Sequence, residues 1–143
     1  MIKICFVCLG NICRSPMAEA MFRKLVLDLG REDEFLITSR GTSSEEYGND
    51  IYPPAKEKLI EMGIPFSKHF AKKVSMEDYL EYDSFICMDD SNVSAMKRMF
   101  PKDTNKIKKL LDRDIADPWY TGNFEATYRD LEEGLRALVN SVK

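Results

Sequence analysis

Cys8 and Arg14 stand six residues apart in the stretch Val7-Cys8-Leu9-Gly10-Asn11-Ile12-Cys13-Arg14-Ser15-Pro16. A thiolate and a guanidinium at that spacing can attack and hold one tetrahedral anion. Deprotonated sulfur is the nucleophile, and Arg14 can fork two donors onto two phosphoryl oxygens, which a lysine cannot do. The stretch follows an alternating apolar run, Ile2-Lys3-Ile4-Cys5-Phe6-Val7, and precedes a helical pattern, so it reads as a strand-to-helix turn of a βαβ unit. Backbone N–H groups of a Gly-containing loop and of a helix N-terminus can surround a phosphate there, and the same dipoles favour the thiolate form of Cys8. Ser15 fits an N-cap with Pro16 at the first helical position, and its hydroxyl is close enough along the chain to donate to the Cys8 sulfur.

A phosphate monoester attacked by a thiolate needs a proton for its departing oxygen, which a carboxylic acid must supply. Asp117, in Ala116-Asp117-Pro118-Trp119-Tyr120, is the candidate. Pro118 biases it away from helical geometry, while Trp119 and Tyr120 shield the carboxyl and offer faces to an aromatic leaving group. Cys-x5-Arg-Ser is the motif of the cysteine-dependent phosphatases. The fuller string Cys8 to Pro16 near the N-terminus, joined to the Asp117 segment and Phe124-Glu125-x2-Tyr128, resembles the low-molecular-weight protein tyrosine phosphatase family.

That resemblance implies hydrolysis of phosphotyrosine, in a protein or a small aryl phosphate, through a cysteinyl-phosphate. Asp117 would act as acid and then as base, and no metal or cofactor is required. It further implies that Asn11 takes a left-handed conformation and braces the loop, with Ser39 and His69 behind it. His69-x-Ala71-Lys72 is similar to the family's His-x-Ala-Arg segment. Leu9, Ile12 and Tyr47 would form walls of the substrate cleft, with Trp119 and Tyr120 at its lip, although Tyr47 reads equally as a surface loop tyrosine. Gly10 and Cys13 complete the phosphate-binding loop, and a Cys8–Cys13 disulfide would inactivate the enzyme reversibly. The chain departs from the family at Trp119, where Tyr is usual, and at Arg40, where relatives tend to have a small residue. Arg40 reads either as an extra positive charge near the pocket or as a solvated one. Asp89 reads as a helix cap.

Other chemistries lack parts. Arsenate reductases of the same fold use two further cysteines downstream, and only Cys87 lies beyond Cys13. Protein-arginine phosphatases of the family tend to have Thr at the position of Ile12. The Gly-x4-Gly-Lys-Ser/Thr and Gly-x-Gly-x2-Gly nucleotide-binding patterns are absent. A phosphotyrosine-binding or redox-sensing module without turnover would not need nucleophile, arginine and acid together. Cys5-x2-Cys8 resembles half a zinc site, but the single histidine, His69, and the isolated Cys87 do not supply the other half.

The 143 residues are the length of one domain, and 44% apolar with 31% charged residues indicates a globular chain. No run of about 18 apolar residues offers a membrane span. The chain opens directly on a strand pattern with no signal-peptide pattern, so a cytoplasmic protein is expected, in keeping with a reduced Cys8. A net charge of −3 gives no reason to expect nucleic acid as a partner, and leaves phosphate attraction to the loop and Arg14.

The elements that must position these residues follow from periodicity. A helix is expected over 17–29, with Met17, Ala20, Met21, Leu25 and Val26 or Leu29 inward, stopped by Gly30. A strand over 35–39 leads through a loop at 40–44 and an irregular crossing at 45–54 to a helix over 54–62, closed by Gly63. A short helix from 75 or 76 to 80 precedes a continuous apolar strand over 84–88, the pattern of a strand covered on both faces. A helix over 92–99, an edge strand over 106–111, a loop over 112–123 and a helix over 124–142, with Ala126, Leu131, Leu135 and Leu138 inward, complete the chain. Strands alternating with helices predict an α/β fold: a single doubly wound domain over 1–143, a four-stranded parallel sheet with helices on both faces, and the reactive loop at the C-terminal ends of the strands.

Overall fold

Four parallel strands, β1 (Ile2–Cys8), β2 (Phe35–Gly41), β3 (Ser84–Cys87) and β4 (Ile107–Lys109), form one sheet in the order β2-β1-β3-β4. The computed structural model describes residues 1–142; Lys143, the last residue of the expected domain, lies outside them. From β1 the chain steps outward to β2 on one side and then returns to build β3 and β4 on the other. The order therefore reverses at the C-terminal end of β1, the switch point where open α/β sheets leave a crevice. Cys8 is the last residue of β1.

Around the sheet lie α1 (Arg14–Asp28), α2 (Pro53–Glu61), α3 (Met76–Glu81), α4 (Asp90–Met99), α5 (Pro118–Thr121) and α6 (Phe124–Ser141). Alternation along β1 sends Ile4, Phe6 and Cys8 into the larger core, with α1, α2 and α6. Cys5 and Val7 point into a second core, with Tyr79 of α3 and Met96 of α4. The both-faces-covered expectation for the apolar strand over 84–88 is met in this way, over 84–87.

Phe22, outside the expected α1 stripe, is fully buried; its ring meets Phe6 at 5.7 Å and Phe35 at 5.3 Å, both edge-on. Such pairs contribute about 1 kcal/mol each beyond area burial. Leu29, offered as an inward alternative, is exposed because the helix has ended one residue earlier. On α6 the stripe is rotated from the expected one: Thr127 and Tyr128 are buried and Ala126 is exposed. Gly134 lies on the buried stripe, where a Cβ would come within 2.5 Å of Leu110 Cγ, so the glycine lets α6 approach the chain just beyond β4.

Boundaries differ where pairing overrides local signals. Arg40 and Gly41, expected in a loop, extend β2 because they pair with Val7 and Cys8. β4 holds only three residues of the expected six. A turn stabilised by capping, α5, sits inside the expected loop over 112–123. Asp117 accepts from the Trp119 N–H, Pro118 is the first helical residue, and Gly122 closes the turn in the left-handed region at φ 70°. Four residues are too few to show a helical period. A 3-10 turn over Glu32–Glu34, also without a periodic signal, leads into β2.

Candidate active site

The loop from Leu9 to Cys13 leaves β1 at the switch point and enters α1 with Arg14 as the first helical residue. Its course depends on Asn11, whose φ of 61° places it in the left-handed region, as expected. Asn tolerates that region because its short side chain can hydrogen-bond locally. Here Asn11 Nδ2 donates to Ser15 Oγ at 2.8 Å and to Ser39 Oγ at 3.0 Å, and Oδ1 accepts from the Lys72 N–H at 3.1 Å. His69 Nε2 lies 2.6 Å from the Asn11 carbonyl. A carbonyl only accepts, so Nε2 carries the proton. Ser39 and His69, expected behind the loop, thus meet at Asn11.

The loop's carbonyls are tied down from outside. Thr42 N–H donates to the Cys8 carbonyl, Ser43 N–H to that of Leu9 and Tyr52 N–H to that of Ile12, all within 2.9–3.0 Å. Gly41 permits this approach: a Cβ there would lie 2.8 Å from the Leu9 carbonyl oxygen. Among the described residues no protein acceptor takes the N–H groups of Gly10, Asn11, Ile12 or Cys13, which leaves these donors for an anion beside Cys8.

Ser15 does not cap α1. The helix begins one residue before it, and its hydroxyl is committed elsewhere, lying 3.0 Å from Cys8 Sγ. Because Asn11 Nδ2 can only donate, Ser15 Oγ must accept from it, which leaves the Ser15 proton for the sulfur. Ser39 Oγ donates in turn to Glu19 Oε1 at 2.6 Å, and Glu19 pairs with Arg23 at 2.8 Å. Glu19 escaped the sequence reading, although its position four residues after Ser15 on one helix places it on the same face.

Arg14 is almost fully buried beneath the loop. Its Nη1 donates to Asp89 Oδ2 at 2.7 Å and to the Ile115 carbonyl at 2.8 Å, and its Nη2 reaches Asp117 Oδ2 at 3.4 Å. Burial opposes the charged guanidinium, but Cys8, Asp89 and Asp117 outweigh it and push its pKa further up. Asp89 caps α4 through a reciprocal capping box with Asn92, as expected, and also anchors Arg14, which the sequence did not reveal. Burial alone would raise the Asp89 carboxyl; the bonds from Arg14, Ser91 and the Asn92 N–H overcome that and hold it below the usual carboxylate range.

Above this floor opens a cleft of about 140 Å³. It is lined by the loop residues Cys8, Leu9, Gly10, Ile12 and Cys13 with Arg14, by Asp117, Trp119 and Tyr120 of the α5 segment, and by Glu45 and Glu46. Trp119 leans on Tyr52, with ring centroids 4.6 Å apart, and Tyr120 is largely exposed. Tyr47 does not line the cleft. Its exposed ring packs edge-on against Phe70 at 5.2 Å, because the turn carries Glu45 and Glu46 inward instead. The loop, the buried arginine and the carboxylate at the mouth thus meet at one concave site.

The family model described as low molecular weight phosphotyrosine protein phosphatase matches residues 3–143. The chain belongs to this family. It is 40% identical to the low molecular weight protein-tyrosine-phosphatase YfkJ of Bacillus subtilis over 100% of this chain and 97% of that one. It is 38% identical to the low molecular weight phosphotyrosine protein phosphatase of Sus scrofa over 99% and 96%. The crystal structure of SP-PTP, the low molecular weight protein tyrosine phosphatase from Streptococcus pyogenes, superposes with a TM-score of 0.95 at 36% identity, covering 100% of this chain and 94% of that one.

In this member of the family Arg40 is neither beside the pocket nor solvated. It pairs with Asp78 of α3 at 3.0 Å and donates to Thr38 Oγ1, on the second-core side of β2. Cys5 and Cys87 are fully buried in that core, and burial pushes both thiols well up, Cys87 to about 12, as inert strand residues would be. Cys13 is buried in the loop; burial, then the charges of Cys8 and Asp117, push its thiol up to about 12.

Proposed function

We propose that the chain, acting as one domain over residues 1–143, is a protein tyrosine phosphatase that hydrolyses phosphotyrosine and related aryl phosphates through a cysteinyl-phosphate. The observation that carries this reading is the convergence of Cys8 Sγ, the buried Arg14 guanidinium and the Asp117 carboxyl on one cleft. Family membership and the names of the relatives support it. The same names accord with a phosphoprotein substrate, and a reducing cytoplasm, where Cys8 stays a thiol, is the compartment in which we place the reaction.

The phosphate dianion enters with its equatorial oxygens on the loop N–H groups and on Arg14. Its arrival takes over the Nη2 that Asp117 holds at 3.4 Å, so Asp117 Oδ2 is released to carry a proton to the departing phenolate. Cys8 sulfur bonds to phosphorus as the P–O(aryl) bond breaks. Asp117, now a carboxylate, removes a proton from the water that attacks phosphorus, and the sulfur leaves as a thiolate that accepts the Ser15 hydrogen bond. Leu9, Ile12 and Trp119 form apolar and aromatic walls suited to the aryl ring. Peroxide would convert Cys8 to a sulfenic acid, which condenses with the Cys13 thiol to a disulfide with loss of water. Reductant should then restore activity together with two thiols.

The test is the pH-rate profile of p-nitrophenyl phosphate hydrolysis in EDTA, with acid quench to trap phosphoenzyme. Activity that survives chelation, vanishes in Cys8→Ser and leaves phosphate on Cys8 is expected. Undiminished turnover by Cys8→Ser would overturn the mechanism.

A further inference from the structure

The cleft mouth is acidic, although the substrate it receives is an anion. Its lining carboxyl groups are Glu45, Glu46 and Asp117, and its only basic lining residue among the described residues is Arg14. Arg14 already faces Asp89 and Asp117. Among the described residues neither Glu45 nor Glu46 forms an ion pair with a lysine or arginine. Nor does Glu46 hang loosely. Its Cγ packs over Gly10, where a Cβ would lie 3.3 Å away, and its Oε2 accepts from Asn49 Nδ2 at 3.0 Å. A carboxylate is therefore held above the phosphate-binding loop. The same cleft is lined by two aromatic side chains, Trp119 and the largely exposed Tyr120. Carboxylates and aromatic side chains lining one cleft form a rim that attracts ammonium and guanidinium groups through both ion pairing and the ring quadrupole.

We infer that Glu45 and Glu46 select phosphotyrosine sites flanked by lysine or arginine and reject those flanked by acidic residues. The inference rests on the phosphatase reading above and names the substrate class within it. A phosphotyrosine with its phosphate on the loop has its ring between the walls and its flanking residues at the rim. A cationic flank there offsets the two carboxylates that the incoming phosphate must pass, whereas an acidic flank adds to their repulsion. The chain's overall charge of −3 adds to the bias and does not relieve it.

Matched phosphotyrosine peptides with lysine, serine or aspartate on either side of the tyrosine test this, read as kcat/KM by phosphate release, with p-nitrophenyl phosphate as the substrate that has no flanks. The lysine peptide should exceed the aspartate peptide by about tenfold at low salt, shrinking toward about twofold in 0.5 M salt as rim charges are screened. In the Glu45→Gln/Glu46→Gln double variant the preference should collapse, and in Glu45→Lys/Glu46→Lys it should invert. Both variants should gain modestly on p-nitrophenyl phosphate, because a dianion then enters past less negative charge. Equal rates for all peptides in the wild type, or a preference unchanged in the double variants, would overturn the inference and leave the phosphatase reading standing. No turnover of any peptide or of p-nitrophenyl phosphate would overturn the phosphatase reading instead.

Discussion

The floor and the rim of the cleft obey different physics. On the floor, Asn11, Arg14, Ser15 and Ser39 are nearly or fully buried, and each is hydrogen-bonded to named partners drawn from β1, α1, β2, the His69 segment, the α4 cap at Asp89 and the segment from Ile115 to Asp117. At the rim, Glu45, Tyr120 and half of Trp119 face solvent, with few contacts to fix them. Buried polar groups are costly unless satisfied, so the floor holds one arrangement only, which suits donors that must meet a transition state within tenths of an ångström. Exposed side chains change contacts at little cost, which suits recognition of varied flanking residues.

Substitutions should separate the two regions by size of effect. Arg14→Lys should be the most damaging, lowering kcat/KM by about a thousandfold. A lysine offers one point charge where Arg14 spans Asp89, the Ile115 carbonyl and Asp117. Retention of activity within tenfold would show that the floor needs charge and not shape.

Asn11→Ala removes three side-chain hydrogen bonds and puts a less tolerant residue at φ 61°. It should cost about 2–3 kcal/mol in urea unfolding and about tenfold or more in kcat. Unchanged stability would mean that the loop holds its shape from its backbone ties alone.

Asp89→Asn keeps the cap but removes the charge facing Arg14, and should cost about 2 kcal/mol at pH 7. Burial raises the Asp89 carboxyl and the bonds from Arg14, Ser91 and Asn92 lower it further than that, so its folded pKa lies below its unfolded one. Its contribution is complete above the ordinary carboxylate value of about 4 and is lost as pH falls through the lower folded value. The stability gap between wild type and Asp89→Asn should therefore stay constant from pH 7 to 5 and close on further acidification. A gap that widens below pH 4 would contradict the sign.

Tyr120→Ala, at the rim, should leave stability unchanged and raise KM for a phosphotyrosine peptide by about threefold, with little change in kcat. A large fall in kcat would place Tyr120 with the floor.

Much of this was legible in the chain because it is local. The spacing of Cys8, Arg14 and Ser15 within one turn, the Asp117-Pro118 pair and the alternation along β1 are fixed by sequence distance and backbone geometry. So is the cap at Asp89, since a capping box spans only four residues, Asp89 to Asn92. Phe22 and Gly134 were missed because their roles are set by what lies opposite them, Phe6 and Phe35 in one case and Leu110 in the other.

What the tertiary structure alone decided is who meets whom across long separations. Asp89 lies 75 residues from Arg14 and Ile115 lies 101 away, and no periodicity encodes those meetings. Arg40 turned to Asp78, and Glu45 and Glu46 to the cleft in place of Tyr47. Each outcome is a competition among partners for one side chain, settled by the distances that the packed sheet and helices impose. The sequence by itself determined which chemistry the chain could perform, because a thiol, a guanidinium and a carboxyl are residue types. Folding decided how that chemistry is held and what the cleft mouth admits, because both depend on charges and hydrogen bonds between segments far apart in the chain.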